Sequence, residues 1–288
     1  MSWESRLSAM SKLEKSRIES HKISFTPHHN TLTAGGKSHF SRVADGIAEF
    51  VDNSIQATDA QVERSIHVSF FLDREKSSES GYVSIADNGI GMTRSTIEEF
   101  ATYALDRKTR KLGTEDKGRS AIGKFGVGAK QAAFYLGNKM RVITKRKENP
   151  RVMEFVFDTE VLEANFVEKR DVYAGLINVR DIGDDSLFSE DEKAIETMQA
   201  ALREHEENNE NFTIIVIRMH RHMVRQMLNN DRYNVLSNEL AEIYHYHLHP
   251  EHSPKEIMKM AKFINTSGLV FSFMLCFDAF FHIMLEFR

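Results

Sequence analysis

Three short segments of this chain place acidic, amide and glycine residues at spacings that suit the binding of a small ligand. The first, EFVDNSIQAT at residues 49–58, carries a carboxylate and amides at helical spacing. The second, ADNGIGM at residues 86–92, has an aspartate followed by two glycines. The third, GKFGVGAKQAAF at residues 123–134, is a glycine-rich turn that leads into a helical sequence. Together, and in this order, they predict a nucleotide pocket.

The first segment combines a potential base with a potential metal ligand. Glu49 and Asn53 are four residues apart and Gln56 follows three later, so a helix presents all three on one face. The amide oxygen of Asn53 is a hard ligand of the kind that Mg²⁺ prefers. Glu49 is suited to deprotonating a water that attacks a terminal phosphate. An exposed polar helix face is the alternative interpretation.

The second segment follows an apolar, strand-like stretch and offers an acceptor for a base. The carboxylate of Asp87 can accept a hydrogen bond from an exocyclic amine such as that of adenine. Gly89 and Gly91 allow a flat group to approach the backbone, and Ile90 and Met92 supply apolar contact. Asp-Asn-Gly is also a common turn sequence, so a purely structural turn is the alternative.

The third segment resembles a phosphate site at a helix start. Gly123, Gly126 and Gly128 precede a predicted helix, whose free N–H groups and dipole favour an anion, and Lys130 adds a positive charge. The preceding residues 106–124 hold seven basic and three acidic side chains, and long loops of this kind are often lids. There is no GxxxxGK[ST], and a basic loop rather than a strand precedes the glycines. These features disfavour the Walker and Rossmann motifs.

Hydrophobic periodicity predicts the elements that position these residues. The predicted helices are 38–58, 93–104, 126–136, 190–206 and 225–247. The predicted strands are 65–73, 82–87, 140–147, 152–157, 175–180 and 212–219. We interpret residues 203–211, REHEENNEN, as a solvated loop. No internal repeat is visible.

Composition sets the general class. The chain has 288 residues, of which 41% are hydrophobic and 28% charged, which favours a soluble globular protein. Its net charge of -4 predicts no general attraction to nucleic acid or anionic lipid. The single cysteine, Cys276, suits a reducing compartment, and the charged N-terminal residues lack the apolar run of a signal peptide.

Two C-terminal features are ambiguous. The apolar stretch 269–285 has the length of a short membrane span, but Asp278 near its middle opposes insertion, so we expect no membrane contact. We expect this stretch instead to pack on a domain or partner beyond the chain. The histidines of residues 245–252 have no second ligand cluster, and no metal site is predicted there.

The three segments resemble the N, G1 and G2 boxes of the GHKL ATPases, the group that contains gyrase B, Hsp90, histidine kinases and MutL. The resemblance implies an α+β Bergerat fold, with a mixed, largely antiparallel sheet covered on one face by helices and ATP bound on the helical side under a lid. By position, it makes Glu49 the general base, Asn53 the Mg²⁺ ligand and Asp87 the residue that reads adenine. The remaining nucleotide-binding residues that it implies are Gly89, Gly91, Met92, Gly123, Gly126, Val127, Gly128 and Lys130.

Within the group, the chain is similar to the flexible-hinge-domain proteins of the structural maintenance of chromosomes type, with microrchidia ATPases next. The segment LAEIYHYHLH at 240–249 contributes to this similarity and makes the second half look like a transducer. It implies a nuclear protein of chromatin or DNA repair that contacts chromatin or DNA through a larger assembly and forms an ATP-dependent homodimer. The implied divisions are an N-terminal helical segment 1–24, an ATP-binding domain 25–148, a transducer-like domain 149–250 and an apolar tail 251–288.

The predicted function is a slow Mg²⁺-dependent ATPase with ATP-gated dimerisation. GHKL relatives often supply a transducer lysine to the γ-phosphate, and the only candidate that we single out is the undistinguished Lys193. A nucleotide-sensing dimerisation module that does not hydrolyse ATP is therefore the alternative. A histidine kinase is disfavoured, because the residues before Ile23 leave little room for a phospho-acceptor hairpin.

Overall fold

The computed structural model describes residues 39–72, 81–102, 127–172, 174–185, 187–193, 195–228, 230–245, 269–276 and 280–287. Four predictions lie wholly or largely outside these residues: the N-terminal helical segment 1–24, the basic loop 106–124, the phosphate-site glycines Gly123 and Gly126, and the histidine-rich segment beyond His245.

The chain alternates helices and strands along most of its described length. The helices are α1 (Val43–Ala57), α2 (Arg94–Ala101), α3 (Gly128–Leu136), α4 (Thr159–Val167), α5 (Glu190–Lys193), α6 (Glu196–Asn208), α7 (Arg221–Leu228) and α8 (Asn230–Ile243). The strands are β1 (Arg64–Leu72), β2 (Gly81–Asp87), β3 (Gly137–Lys145), β4 (Val152–Asp158), β5 (Asn178–Arg180), β6 (Phe212–Met219), β7 (Leu269–Cys276) and β8 (Phe280–Phe287).

These strands form one eight-stranded sheet in the order β5-β4-β3-β6-β2-β1-β8-β7. Every pair of neighbours runs antiparallel. The late strand β6 lies in the middle, where Ile215 pairs with Ile85 of β2 and with Val142 of β3. Strands from the predicted 25–148 and 149–250 divisions therefore hydrogen-bond in the same sheet. The division into two domains stays a prediction.

Helices pack on both faces of the sheet. On one face, α1, α3, α7 and α8 share a hydrophobic core with residues such as Ile85 and Ile217. On the other face, Met198 and Leu202 of α6 pack on a second core that includes Val216. Successive residues of a strand point to opposite faces, so a strand buried on both faces is largely apolar, as β6 is. The α+β architecture is confirmed, with α6 covering the face that the resemblance left open.

Three local predictions were wrong. Residues 203–208 continue α6 instead of forming a loop, because Glu206 is buried in an ion pair with Arg180. The helix α4 was missed, although Asp158 caps it by accepting the N–H of Glu160 at 2.9 Å. The single helix predicted at 225–247 starts earlier and is divided into α7 and α8.

The apolar C-terminal stretch forms β7 and β8 of the sheet. Strand β8 pairs antiparallel with β1, where Ile283 lies opposite Val68, and β7 is the outermost strand. The backbone of this stretch therefore extends the sheet at its edge, and the expectation that it packs on a domain or partner beyond the chain stays a prediction. Across the part of the chain that the structure describes, no helix has the length and apolarity needed to cross a bilayer.

A buried network of ion pairs joins α5 and α6 to one end of the sheet. Arg141 of β3 pairs with Glu154 of β4 at 2.9 Å and with Glu192 of α5 at 3.0 Å. Arg180 of β5 pairs with the same Glu154 and with Glu206 of α6. All five side chains are at most 4% exposed, so each charge depends on its partners and not on water.

Candidate functional site

Helix α1 presents the first motif at the edge of the core. Ile47 and Val51 are fully buried on the sheet side of this helix. Glu49 is half-buried and Asn53 is exposed, so the amide of Asn53 is open to solvent. Gln56 is half-buried, and its Nε2 has no hydrogen-bond partner among the described residues. The helix therefore offers one carboxylate and two amides beside the pocket region.

The carboxylate of Glu49 lies against the start of α3. A Cβ placed on Gly128, the first residue of α3, would be 2.0 Å from Oε2 of Glu49. Only a residue without a side chain allows this approach, so the first and third motifs meet at this contact. Burial raises the pKa of Glu49, the negative charge of Asp52 raises it further, and His39 opposes both. These conditions favour a carboxylate that can accept a proton.

Asp87 ends β2 and is only 4% exposed. Its Oδ2 accepts a hydrogen bond from the Ser54 hydroxyl at 2.8 Å, and its Oδ1 accepts one from the Gly89 N–H at 2.9 Å. Burial raises the pKa of Asp87 to about 7, against the lowering effect of these two bonds and of the Thr213 backbone. The Ser54 bond joins the first motif to the second.

The main chain of Asp87 is also held from the opposite face of the sheet. Nε2 of His205, on α6, is 3.1 Å from the carbonyl oxygen of Asp87. Burial lowers the pKa of His205, so the ring is neutral near pH 7 and donates its Nε2–H to that carbonyl. The ring also contacts His67 and Phe212. His205 lies where the predicted helix 190–206 and the predicted loop 203–211 overlap, and the structure places it on the helix.

The glycine turn after Asp87 is fixed between α1 and β3. The N–H of Ile90 donates to the carbonyl of Ala57 at 3.0 Å, and the N–H of Met92 donates to the Thr144 hydroxyl at 2.8 Å. Gly91 has a φ of 67°, and a Cβ on it would be 2.1 Å from the carbonyl oxygen of Lys145. Glycine is needed at this position for both reasons.

The start of α3 has two further predicted residues. Val127 is its half-buried N-cap and makes no side-chain capping bond. Lys130 is 3% exposed, and its Nζ lies 5.0 Å from the ring centroid of Phe100 on α2, a cation–π contact. The predicted phosphate role of Lys130 stays a prediction, as do the roles of the other site residues.

Sequence reasoning missed the residues that support this site. Ser54, Thr144 and His205 each make a hydrogen bond to the second motif. A signal for Ser54 was present, because it lies between Val51 and Ile55 on the buried stripe of α1, and a buried hydroxyl needs a partner. Within the described ranges, no group of three or more metal-binding side chains gathers, and the predicted Asn53 site involves a single amide.

The fold and the meeting of the three motifs define a class of protein. Residues 41–174 match the family described as histidine kinase-, DNA gyrase B- and HSP90-like ATPase. These residues form an ATPase domain of this GHKL type, and the resemblance predicted from the three motifs is confirmed. Membership of that family implies ATP binding.

Two kinds of relative make the comparison more specific. The chain is 29% identical over 248 residues to human "Structural maintenance of chromosomes flexible hinge domain-containing protein 1", and equally identical to the mouse protein. It is 32% identical over 118 residues to "ATPase morc-1" of Caenorhabditis elegans. The first alignment covers 79% of this chain and 12% of the human protein, and the second covers 41% and 12%. The chain thus spans a small part of the length of these relatives.

Proposed function

We propose that this chain is the Mg²⁺-dependent ATP-binding and ATP-hydrolysing head of a chromatin-associated nuclear protein, and that two heads associate when ATP binds. The observation that carries the proposal is the meeting of the motifs, in which Glu49 lies against the start of α3 and Asp87 is bonded to Ser54 of α1. A helix start favours phosphate, so the carboxylate of Glu49 stands beside the expected site of the reacting group.

The donor set fits ATP with Mg²⁺. Asp87 is a buried acceptor whose carboxylate suits the exocyclic amine of adenine. Asn53 is exposed and offers an amide oxygen that would hold Mg²⁺, which supplies charge neutralisation for the phosphates when bound. The first N–H groups of α3, from Gly128 onward, would bind phosphate oxygens. Val127, Gly89, Gly91 and Met92 would line the nucleotide, and Lys130 would add positive charge.

In this proposal, Glu49 orients a water and accepts its proton as the terminal phosphate is attacked. Its raised pKa, caused first by burial and then by Asp52, makes the carboxylate a better proton acceptor than an exposed glutamate. The absence of a side chain on Gly128 leaves room for this carboxylate against the start of α3. Hydrolysis then resets the associated heads.

The chromatin setting is supported by the relatives. The human and mouse proteins carry "maintenance of chromosomes" in their names, and the similarity covers most of this chain. We propose by analogy a nuclear, chromosomal location, a role in chromatin or DNA repair, and contact with DNA through a larger assembly. The net charge of -4 favours such indirect contact over a general affinity for nucleic acid.

Two substitutions test the roles separately. We expect D87A to abolish ATP binding, because the adenine loses its buried hydrogen-bond acceptor. We expect E49A to retain ATP binding and to lose at least about a hundredfold in turnover, which is the scale of general-base catalysis. Calorimetry and phosphate release measure the two quantities. Equal turnover in E49A and wild type would contradict the catalytic role of Glu49. Wild-type ATP affinity in D87A would contradict the role of Asp87 in binding adenine.

A second candidate function is a nucleotide sensor that dimerises without hydrolysis. The observation that favours it is the position of Lys193. Its Nζ pairs with Glu190 within α5, and the adjacent Glu192 binds Arg141, whose strand partner Val216 belongs to the core on the face of the sheet opposite α1. Size-exclusion chromatography with ATP and with a non-hydrolysable analogue separates the two functions. Equally persistent dimers with both nucleotides and no phosphate release indicate the sensor.

A further inference from the structure

Helix α8 and the residue that follows it, Tyr244, pack on the helix that carries Glu49. Leu236, Leu240 and Tyr244 follow each other at four-residue spacing, and each is 2% exposed. All three belong to the core shared with Ile47 and Val51 of α1. The packing of α8 therefore places the ring of Tyr244 against α1, in the same core that supports the candidate site.

The hydroxyl of Tyr244 ends on the polar side of α1. It lies 2.9 Å from Oδ1 of Asp52 and 3.2 Å from the carbonyl oxygen of Ala48. Both of these atoms are acceptors, so the hydroxyl is the donor, and the shorter distance favours the carboxylate. Burial raises the pKa of Tyr244, and Asp52 raises it further, so the phenol keeps its proton.

Asp52 follows Glu49 by three residues, which is the spacing of neighbours on one helix face. The two carboxylates repel each other, as the contribution of Asp52 to the raised pKa of Glu49 shows. Glu49 is confined on its other side by the approach of Gly128. A bond that fixes Asp52 therefore limits the orientations that its neighbour Glu49 can adopt.

We propose that Tyr244 is a positioning residue, which anchors Asp52 and the middle of α1 from α8 and so holds Glu49 in its place beside the start of α3. This role rests on the proposed hydrolytic function of Glu49. In this role, the effect of Tyr244 passes through its hydroxyl bond to Asp52. The hydrolytic rate would thereby depend on the seating of α8.

The test is a double-mutant cycle of Y244F and D52N on the full chain. Y244F keeps the ring and removes only the donor, so we expect turnover to fall about tenfold, the effect of one hydrogen bond to a charged group, with unchanged KM and nucleotide affinity. If the tyrosine acts through Asp52, Y244F in the D52N background has little further effect. The control Y135F removes a half-buried hydroxyl from α3 and leaves the rate unchanged.

The outcomes separate the two proposals. Wild-type turnover in Y244F, or full additivity of Y244F and D52N, would overturn the positioning role while leaving hydrolysis intact. A parallel rise of KM and loss of affinity would also overturn it, since that pattern indicates general disruption of the pocket. Equal ATP turnover in wild type and E49A would instead contradict the hydrolytic function of Glu49, and with it the proposed role of Tyr244. Thermal unfolding of each variant shows whether the fold is retained.

Discussion

At the scale of single residues, the site depends on a carboxylate that the fold buries. The hydrogen bonds that lower the pKa of Asp87 come from a hydroxyl and from backbone N–H groups, all of them neutral. Neutral donors offset only part of the cost of burying a charge, and burial still raises this pKa to about 7. The same burial makes the carboxylate a selective acceptor, since water does not compete for it. Recognition and stability therefore have opposite requirements at this position.

The substitution D87N tests whether the buried carboxylate of Asp87 lowers the stability of the fold. The folded-state pKa of about 7 lies above the unfolded value of 3.8, so the stability contributed by protonated Asp87 is present at low pH and is lost as the pH rises between these values. We expect D87N to raise the free energy of unfolding at pH 8 by on the order of 4 kcal/mol, with little effect near pH 4. Denaturant unfolding at both pH values measures the change.

The control for that experiment is E163Q, at an exposed glutamate outside the site. We expect it to change stability by less than about 0.5 kcal/mol at either pH, as substitutions at exposed positions usually do. An unchanged or lowered stability of D87N at pH 8 would contradict the buried, costly carboxylate. D87N should also weaken ATP binding, which separates its functional effect from its structural one.

At the scale of elements, buried ion pairs act together with apolar packing to set how α5 and α6 dock at one end of the sheet. Glu154 is fully buried on β4 and joins Arg141 to Arg180, while Glu192 and Glu206 bring the two helices to these arginines. Specific partners are needed because a buried charge without one is costly. The same docking carries His205 to the main chain of Asp87, so the network reaches the candidate site.

E154Q is the substitution that tests the network. It keeps the volume of Glu154 but leaves the buried Arg141 and Arg180 with one carboxylate fewer, and we expect a loss of about 3–5 kcal/mol in the free energy of unfolding. The matched control is E148Q, since Glu148 pairs with Arg146 at an exposed site, and its loss should be far smaller than that of E154Q. Similar losses in both variants would show that the network contributes no more than a surface ion pair.

At the scale of the whole molecule, the sheet unites distant parts of the chain. The strand β6 separates β2 from β3, and β8 covers the edge of β1. Strand β1 in turn pairs with β2, which ends at Asp87. The C-terminal strands thus support the sheet from which the second motif emerges, although they contribute no predicted site residue.

A chain that ends at residue 245 tests this contribution. This truncation removes β7 and β8 and leaves the hydrogen-bonding edge of β1 unpaired. An unpaired edge promotes association between chains. We expect a lower melting temperature and concentration-dependent association by light scattering. If the truncated protein is monodisperse and has the same melting temperature as the full chain, β8 does not stabilise the sheet.

The predictable parts of the fold were those with a local signal. The bounds of β6 were predicted to the residue and the end of α1 to within one residue, because their apolar patterns need no knowledge of neighbours, whereas α1 begins five residues later than predicted. The solvated loop predicted at 203–211 was wrong for residues 203–208, because their sequence is polar and charged and only the partner Arg180 makes Glu206 a buried residue. The C-terminal strands were not predicted, because an apolar sequence does not by itself indicate which strand it pairs with.

The sequence by itself determined the chemical groups of the site and the class of protein, because the three motifs depend on residue type and short spacing. The tertiary structure decided which groups meet. The bonds from Ser54 and His205 to Asp87, and from Tyr244 to Asp52, join residues 33, 118 and 192 positions apart. Such contacts follow from the order of strands and the packing of helices on two faces of the sheet, which no local pattern specifies.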